Sequence, residues 1–181
     1  MAFICWRKFY LFYYVLNDFF DKACFMASLL YDGFRHELSL LDNNSLVVGA
    51  WLAYNNVDSH ATIKYIRNGI CQVVDRVAPH YHVPNPNGPY GSFGIIRFTV
   101  PGHPGVGVHS GRLNAKYKPG PQHATMGCIR TTDEAMSQIK MYMVKSPLTT
   151  IKIINNSGSS ARSSTQRNQY RVYHGIRTYI L

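Results

Sequence analysis

The residues best suited to chemistry are one cysteine and one histidine. Cys128 stands in the run Thr125-Met126-Gly127-Cys128-Ile129-Arg130. His109 closes the apolar run Gly105-Val106-Gly107-Val108-His109 and is followed by Ser110-Gly111. A Gly before a Cys lets the backbone turn sharply and present the thiol beside N–H groups. A His at the end of an apolar strand is a ready general base for that thiol. Cys with His is the minimum for covalent acyl transfer.

Two other chemistries use overlapping residues. His103, His109, His123 and Cys128 supply the nitrogen and sulfur donors that zinc accepts. Their spacings match no common zinc module, and no Glu is placed as a base. A binding-only protein is the other reading. Arg162, Arg167, Tyr170, Arg171, Tyr173 and Arg177 mix cations with aromatics near the C-terminus, which suits an anionic polymer. A papain-like hydrolase places its Cys before its His, the reverse of the order here.

The whole chain bounds these choices. Its 181 residues suit one domain with a real core. A composition 46% hydrophobic and 13% aromatic is that of a globular protein. The net charge of +10, from 19 Lys and Arg against 9 Asp and Glu, favours an anionic partner. Cys5, Cys24, Cys71 and Cys128 contain no Cys-x-x-Cys pair, which argues against a disulfide scaffold. Cys71, in Gly69-Ile70-Cys71-Gln72-Val73-Val74, reads as a small buried hydrophobe.

Residues 1–28 read as an N-terminal extension. The apolar block Phe9 to Leu16 is interrupted by Asn17-Asp18 and Asp21-Lys22. A membrane-spanning helix needs about 20 apolar residues, so no transmembrane segment is expected. Three readings stand: an amphipathic aromatic helix covering the domain, a poor export signal, or translation beginning at Met26.

The elements that must position the pair come next. Phe34 to Leu41 and Leu46 to Tyr54 flank Asp42-Asn43-Asn44-Ser45, a hairpin signal. Ile63, Ile66, Ile70, Val73, Val74 and Val77 recur at helical spacing and predict a helix over 60–78, despite Gly69 within it. Strands are expected over 91–100, 106–109 and 148–154. Thr131 or Thr132 caps a helix running to about Met143, with Asp133 and Glu134 in its first turn. The fold class expected is mainly β, a β-sandwich or α+β domain with one or two helices. It covers 29–154, and 155–181 form a polar basic tail.

With these residues placed, the chain resembles the L,D-transpeptidase (YkuD-type) catalytic domain. That family's motif is a His, a loop, then Ser/Thr-His-Gly-Cys. Here His109 is followed by 15 residues, 110–124, and then Thr125-Met126-Gly127-Cys128. Gly88-Pro89-Tyr90-Gly91-Ser92-Phe93 resembles the family's Pro-x-Gly-x-Phe strand entry. Met126 stands where the family has its second His. In size the chain also resembles the compact L,D-transpeptidase-like effectors of type VI secretion.

The resemblance implies a site. Cys128 attacks the carbonyl before the terminal D-Ala of a peptidoglycan tetrapeptide stem, and His109 takes the thiol proton. The Ser110 carbonyl orients the imidazole, and the N–H groups of Gly127 and Cys128 hold the oxyanion. Arg130, Thr125 and Tyr90 are the expected substrate-binding residues. It implies transpeptidation, D-amino-acid exchange or L,D-carboxypeptidase activity, with no cofactor and no metal. The implied location is the periplasm or outside the cell. No nucleic-acid partner is expected, and an effector would have an immunity protein.

Overall fold

A computed structural model describes residues 26–157. Expectations for residues 1–25, Cys5 and Cys24 among them, and for the basic tail beyond 157 lie outside the described residues. The fold is mainly β, as expected, with two sheets and one α-helix among the described residues.

The larger sheet starts with β1, Ala27–Asp32. Ala27, Leu29 and Tyr31 point into the core and alternate with half-exposed residues, the period-two pattern of a strand covered on one face. β2 (Glu37–Leu41) and β3 (Val47–Leu52) form the expected hairpin. Its turn is held by Asp42 Oδ1, which accepts from Asn44 N and Leu46 N, both at 2.8 Å. The sheet is completed by β4 (Gly69–Gln72) and β8 (Leu148–Ile154), in the order β3-β2-β1-β8-β4. Only the β1–β8 pair is parallel.

The smaller sheet holds His109 and begins its last strand just after Cys128. It consists of β5 (Ile95–Arg97), β6 (Gly107–His109) and β7 (Ile129–Arg130). β6 runs antiparallel to β5 and parallel to β7, pairing Val108 with Ile129 and His109 with Arg130. The two sheets are stitched where Tyr54 N donates to Arg130 O at 2.9 Å and Arg130 N returns to Tyr54 O at 2.8 Å. Helix α1, Asp133–Met143, follows β7 directly. Thr132 caps it, its Oγ1 accepting from Ala135 N at 3.1 Å. Ala135, Met136, Ile139 and Met143 form its buried face, packed into the core with Leu29, Leu38, Val108, Ile129 and Ile151.

The helix expected over 60–78 is not there. The segment bends through 59–68 and then forms β4, which pairs antiparallel with β8. Gly69 sits at φ +150°, outside any helical conformation. Ile70 and Val77 are 67% and 66% exposed, so the spacing marks no buried stripe. A free ladder edge on β8 outweighed local periodicity.

Candidate active site

The candidate pair is placed by β6 and by the entry into β7. His109 and Arg130 are paired residues of parallel strands, so their side chains share a face. Cys128 lies two residues before Arg130, the period that returns a side chain to the same face. Val108 and Ile129 point the other way, fully buried in the core. Cys128 thus enters the sheet at the start of β7, beside the strand that ends at His109.

His109 is 3% exposed, and its Nδ1 donates to the Ser110 carbonyl at 2.8 Å. A carbonyl can only accept, so the neutral ring carries its proton on Nδ1 and leaves a bare lone pair on Nε2. Burial first, then the nearby Arg130 charge, drive the His109 pKa down to about 3 against the Ser110 bond, which pulls it up. At neutral pH the ring is an uncharged base.

The Cys128 thiol is pushed above its ordinary range by burial, opposed by a Gly107 backbone hydrogen bond and the Arg130 charge. Its Sγ leans toward Gly105 O at 3.9 Å, and no thiol–imidazole hydrogen bond forms among the described residues. The resting pair is neutral thiol with neutral imidazole, rather than thiolate with imidazolium.

Ser110 is held from both ends. Its carbonyl also accepts from Arg130 Nη1 at 2.8 Å. Its hydroxyl donates to Asp133 Oδ1, and the other carboxylate oxygen accepts from Ser92 Oγ at 2.5 Å. Burial raises the Asp133 pKa, but the Ser110 and Ser92 hydrogen bonds outweigh it and leave it lowered. Gly91 makes room for this cluster. At φ +68° it adopts a conformation that favours glycine, and a Cβ there would collide with Ser110 Oγ.

The three expected substrate-binding residues sit differently. Arg130 is buried, and its guanidinium donates to the carbonyls of Ser110, Pro89 and His123. It clamps the loops that carry those carbonyls. Burial and Arg112 lower its pKa to about 10, which leaves it charged. Thr125 is also buried, and its hydroxyl donates to Cys128 O at 2.8 Å and accepts from Gly127 N at 3.2 Å. The Gly127 N–H is therefore already engaged in the resting site. Gly127 is at φ +131°, and a Cβ would come within 2.5 Å of Ile63 Cγ2. Tyr90 meets His109 edge to face at 5.2 Å and stacks on His82 at 3.9 Å, so it walls the base.

Met126, in the place of the second motif His, is 64% exposed. The zinc reading is not met: among the described residues no group of three His, Cys, Asp or Glu is placed to hold a metal ion. His123 Nδ1 donates instead to Tyr117 O at 3.1 Å, and His103 sits in the 101–105 turn.

Three residues that hold the site by hydrogen bonds, Asp133, Asn55 and Asn156, were not singled out from sequence. Asp133 was visible only as a first-turn acid of a helix. Asn55 is 2% exposed, and its Nδ2 donates to Gly127 O at 2.9 Å and Cys128 O at 3.1 Å. Its Oδ1 accepts from Ile66 N and from Asn156 Nδ2, each at 2.9 Å. Asn55 and Asn156 lie 101 residues apart, so no local signal announces this hub.

No family model and no curated protein matches the chain. Among solved structures, it is similar to Mycobacterium tuberculosis L,D-transpeptidase 1, at 16% identity and TM-score 0.44, over 71% of this chain and 62% of that one. It is similar to an L,D-transpeptidase (Yku) from Stackebrandtia nassauensis, at 15% identity and TM-score 0.49, over 77% and 62%. A third is an L,D-transpeptidase from Xylanimonas cellulosilytica, at 15% identity and TM-score 0.45, over 73% and 62%. The chain thus spans just under two thirds of each. Among the described residues no helix is long and apolar enough to cross a membrane.

Proposed function

We propose that the protein is a cysteine-dependent acyltransferase acting on the tetrapeptide stem of peptidoglycan. One observation carries the reading. Cys128 immediately precedes β7, whose parallel neighbour β6 ends at His109, and the His109 tautomer is set by the Ser110 carbonyl so that Nε2 is bare.

The reaction runs in two halves. Cys128 rotates about its Cα–Cβ bond toward His109, which takes the thiol proton on Nε2 as sulfur attacks the stem carbonyl. The Cys128 N–H faces the developing oxyanion. Gly127 N–H joins it once the Thr125 hydroxyl gives way, an effect worth a few kcal/mol. The tetrahedral adduct collapses, the C–N bond breaks, and His109 returns the proton to the departing D-Ala amine. A second amine, a free D-amino acid or water then gives its proton to His109 and attacks the thioester, the C–S bond breaks, and His109 returns the proton to the Cys128 sulfur. The products are a crosslink, an exchanged stem or a trimmed stem. Arg130 assists without touching substrate: its charge favours the thiolate and disfavours imidazolium.

Mass spectrometry of disaccharide-tetrapeptide incubated with the wild-type protein and with Cys128→Ala tests this. D-Ala loss, exchange or dimers made by wild type alone are expected. Unaltered muropeptides with folded, reduced wild-type protein would overturn the reading. An antibacterial role is the finer part of the proposal. Export to the periplasm of a test bacterium should then arrest growth, and Cys128→Ala should grow normally.

A further inference from the structure

The five-stranded sheet has two faces, and the core occupies one. Leu29, Leu38, Ile151 and Ile153 of that face are buried in the core with α1. The register lays out the other face in rows, because directly paired residues share a side. One row crosses all five strands as Ala50, Ser39, Leu30, Lys152 and Ile70. On either side of that row the hairpin adds the pair Leu41 and Val47, and Leu52 opposite Glu37.

A sheet face left to water alternates to polar residues at such positions. The β1–β3 half instead presents Leu30, Leu41, Val47, Ala50 and Leu52. Val47 is 61% exposed and Leu52 37%, so among the described residues this apolar half is open to solvent. The β8–β4 half is different: Thr150, Lys152 and Gln72 break it with polar groups.

The chain itself supplies an occupant. Residues 1–25 join this sheet at Met26, which directly precedes β1 and is 45% exposed. Ten of those 25 residues are Phe, Tyr or Trp, a density of large apolar rings that gains most from a surface to bury against. Attachment at Met26 keeps the segment beside the face at an effective concentration on the order of millimolar. Reach is ample. Five strands span about 19 Å. A segment of this length covers about 37 Å even when helical.

We propose that residues 1–25 pack, through their aromatic side chains, on the β1–β3 half of this face, against Leu30, Leu41, Val47, Ala50 and Leu52. Neither Cys128 nor His109 takes part, so the proposal stands or falls apart from the acyltransferase reading.

Photocrosslinking of the full chain tests it. Phe12→p-benzoylphenylalanine protein is irradiated as a mixture of light and isotope-labelled chains, and the joined peptides are located by mass spectrometry. Position 12 should couple to residues 28–52 of its own chain. Crosslinks between light and labelled chains would give the face to a second copy and overturn the proposal. Coupling confined to other surfaces of the domain would overturn it too, as would transfer to the acyl chains of added phosphatidylglycerol vesicles in place of the sheet. Trypsin gives a second readout, because it cuts after Arg7, Lys8 and Lys22. Val47→Asp with Leu52→Asp, at two exposed positions, should speed release of residues 1–22 roughly tenfold. Gln72→Asp with Lys152→Gln makes the same change in charge on the other half of the face, also at exposed positions, and should leave the rate as in wild type. Equal rates in wild type and the Val47→Asp, Leu52→Asp protein, or equal acceleration by both pairs, would overturn the proposal.

Discussion

One carbonyl oxygen, that of Ser110, accepts from both the base and the buried cation, His109 Nδ1 and Arg130 Nη1 at 2.8 Å each. Its placement depends on the Asp133 carboxylate, which accepts from the hydroxyl of the same residue. Asp133 is thus a positioning residue. Asp133→Asn should lower kcat roughly tenfold with little change in KM, because misplacing the base affects the transition state most. A merely structural role would lower stability and leave kcat per folded molecule unchanged. The titration behaviour is equally specific. With His109 at about 3 and its unfolded value near 6.5, the unfolded chain binds a proton that the folded one refuses. Stability from this group is complete above about 6.5 and is lost as pH falls toward 3. Urea midpoints of wild type should fall over that range, and those of His109→Gln should fall less. Thiol alkylation should rise with pH through the region above a normal thiol, with no plateau at acid pH of the kind an ion pair gives. Sequence exposed Cys128 and His109 because their chemistry is intrinsic to the side chain. It hid Asn55 and the role of Asp133, whose work is defined by partners distant in the chain.

At the scale of elements, the strand that presents the base and the loop that covers it are joined by glycines. Gly91 approaches Ser110 and Asp133 so closely that no side chain fits. Gly91→Ala should lower stability by about 2 kcal/mol or more and reduce activity further than the stability loss explains. Thermal unfolding beside assays on the folded fraction would separate the two effects. The hairpin and α1 were legible because turn chemistry, capping and period agree locally. The 60–78 segment was misread because Ile63 lies against the Gly127 loop and Ile66 N donates to Asn55 Oδ1, neither of which is a helix contact. Its later half is claimed by β8, a pairing set by residues about 80 positions away.

For the whole molecule, the charge of +10 is the property most exposed to solution conditions. Between about 0.01 and about 0.15 M salt the Debye length shrinks from about 30 to about 8 Å. Turnover of intact, acidic wall polymer should fall over that range, and iodoacetamide modification of Cys128 should hold steady. A salt-independent turnover would remove the charge from the account of substrate capture. The mainly β class was readable from composition and alternation, whereas the sharing of Arg130 between both sheets was not. The β6–β7 ladder has one more implication. The spacing of nucleophile and base is fixed by strand pairing, not by the covalent path between them. Leu113 and Tyr117, on that path, are 58% and 74% exposed. Two fragments, one ending at Leu113 and one beginning at Lys118, should accordingly reassemble when mixed and regain a reactive site that neither half has alone.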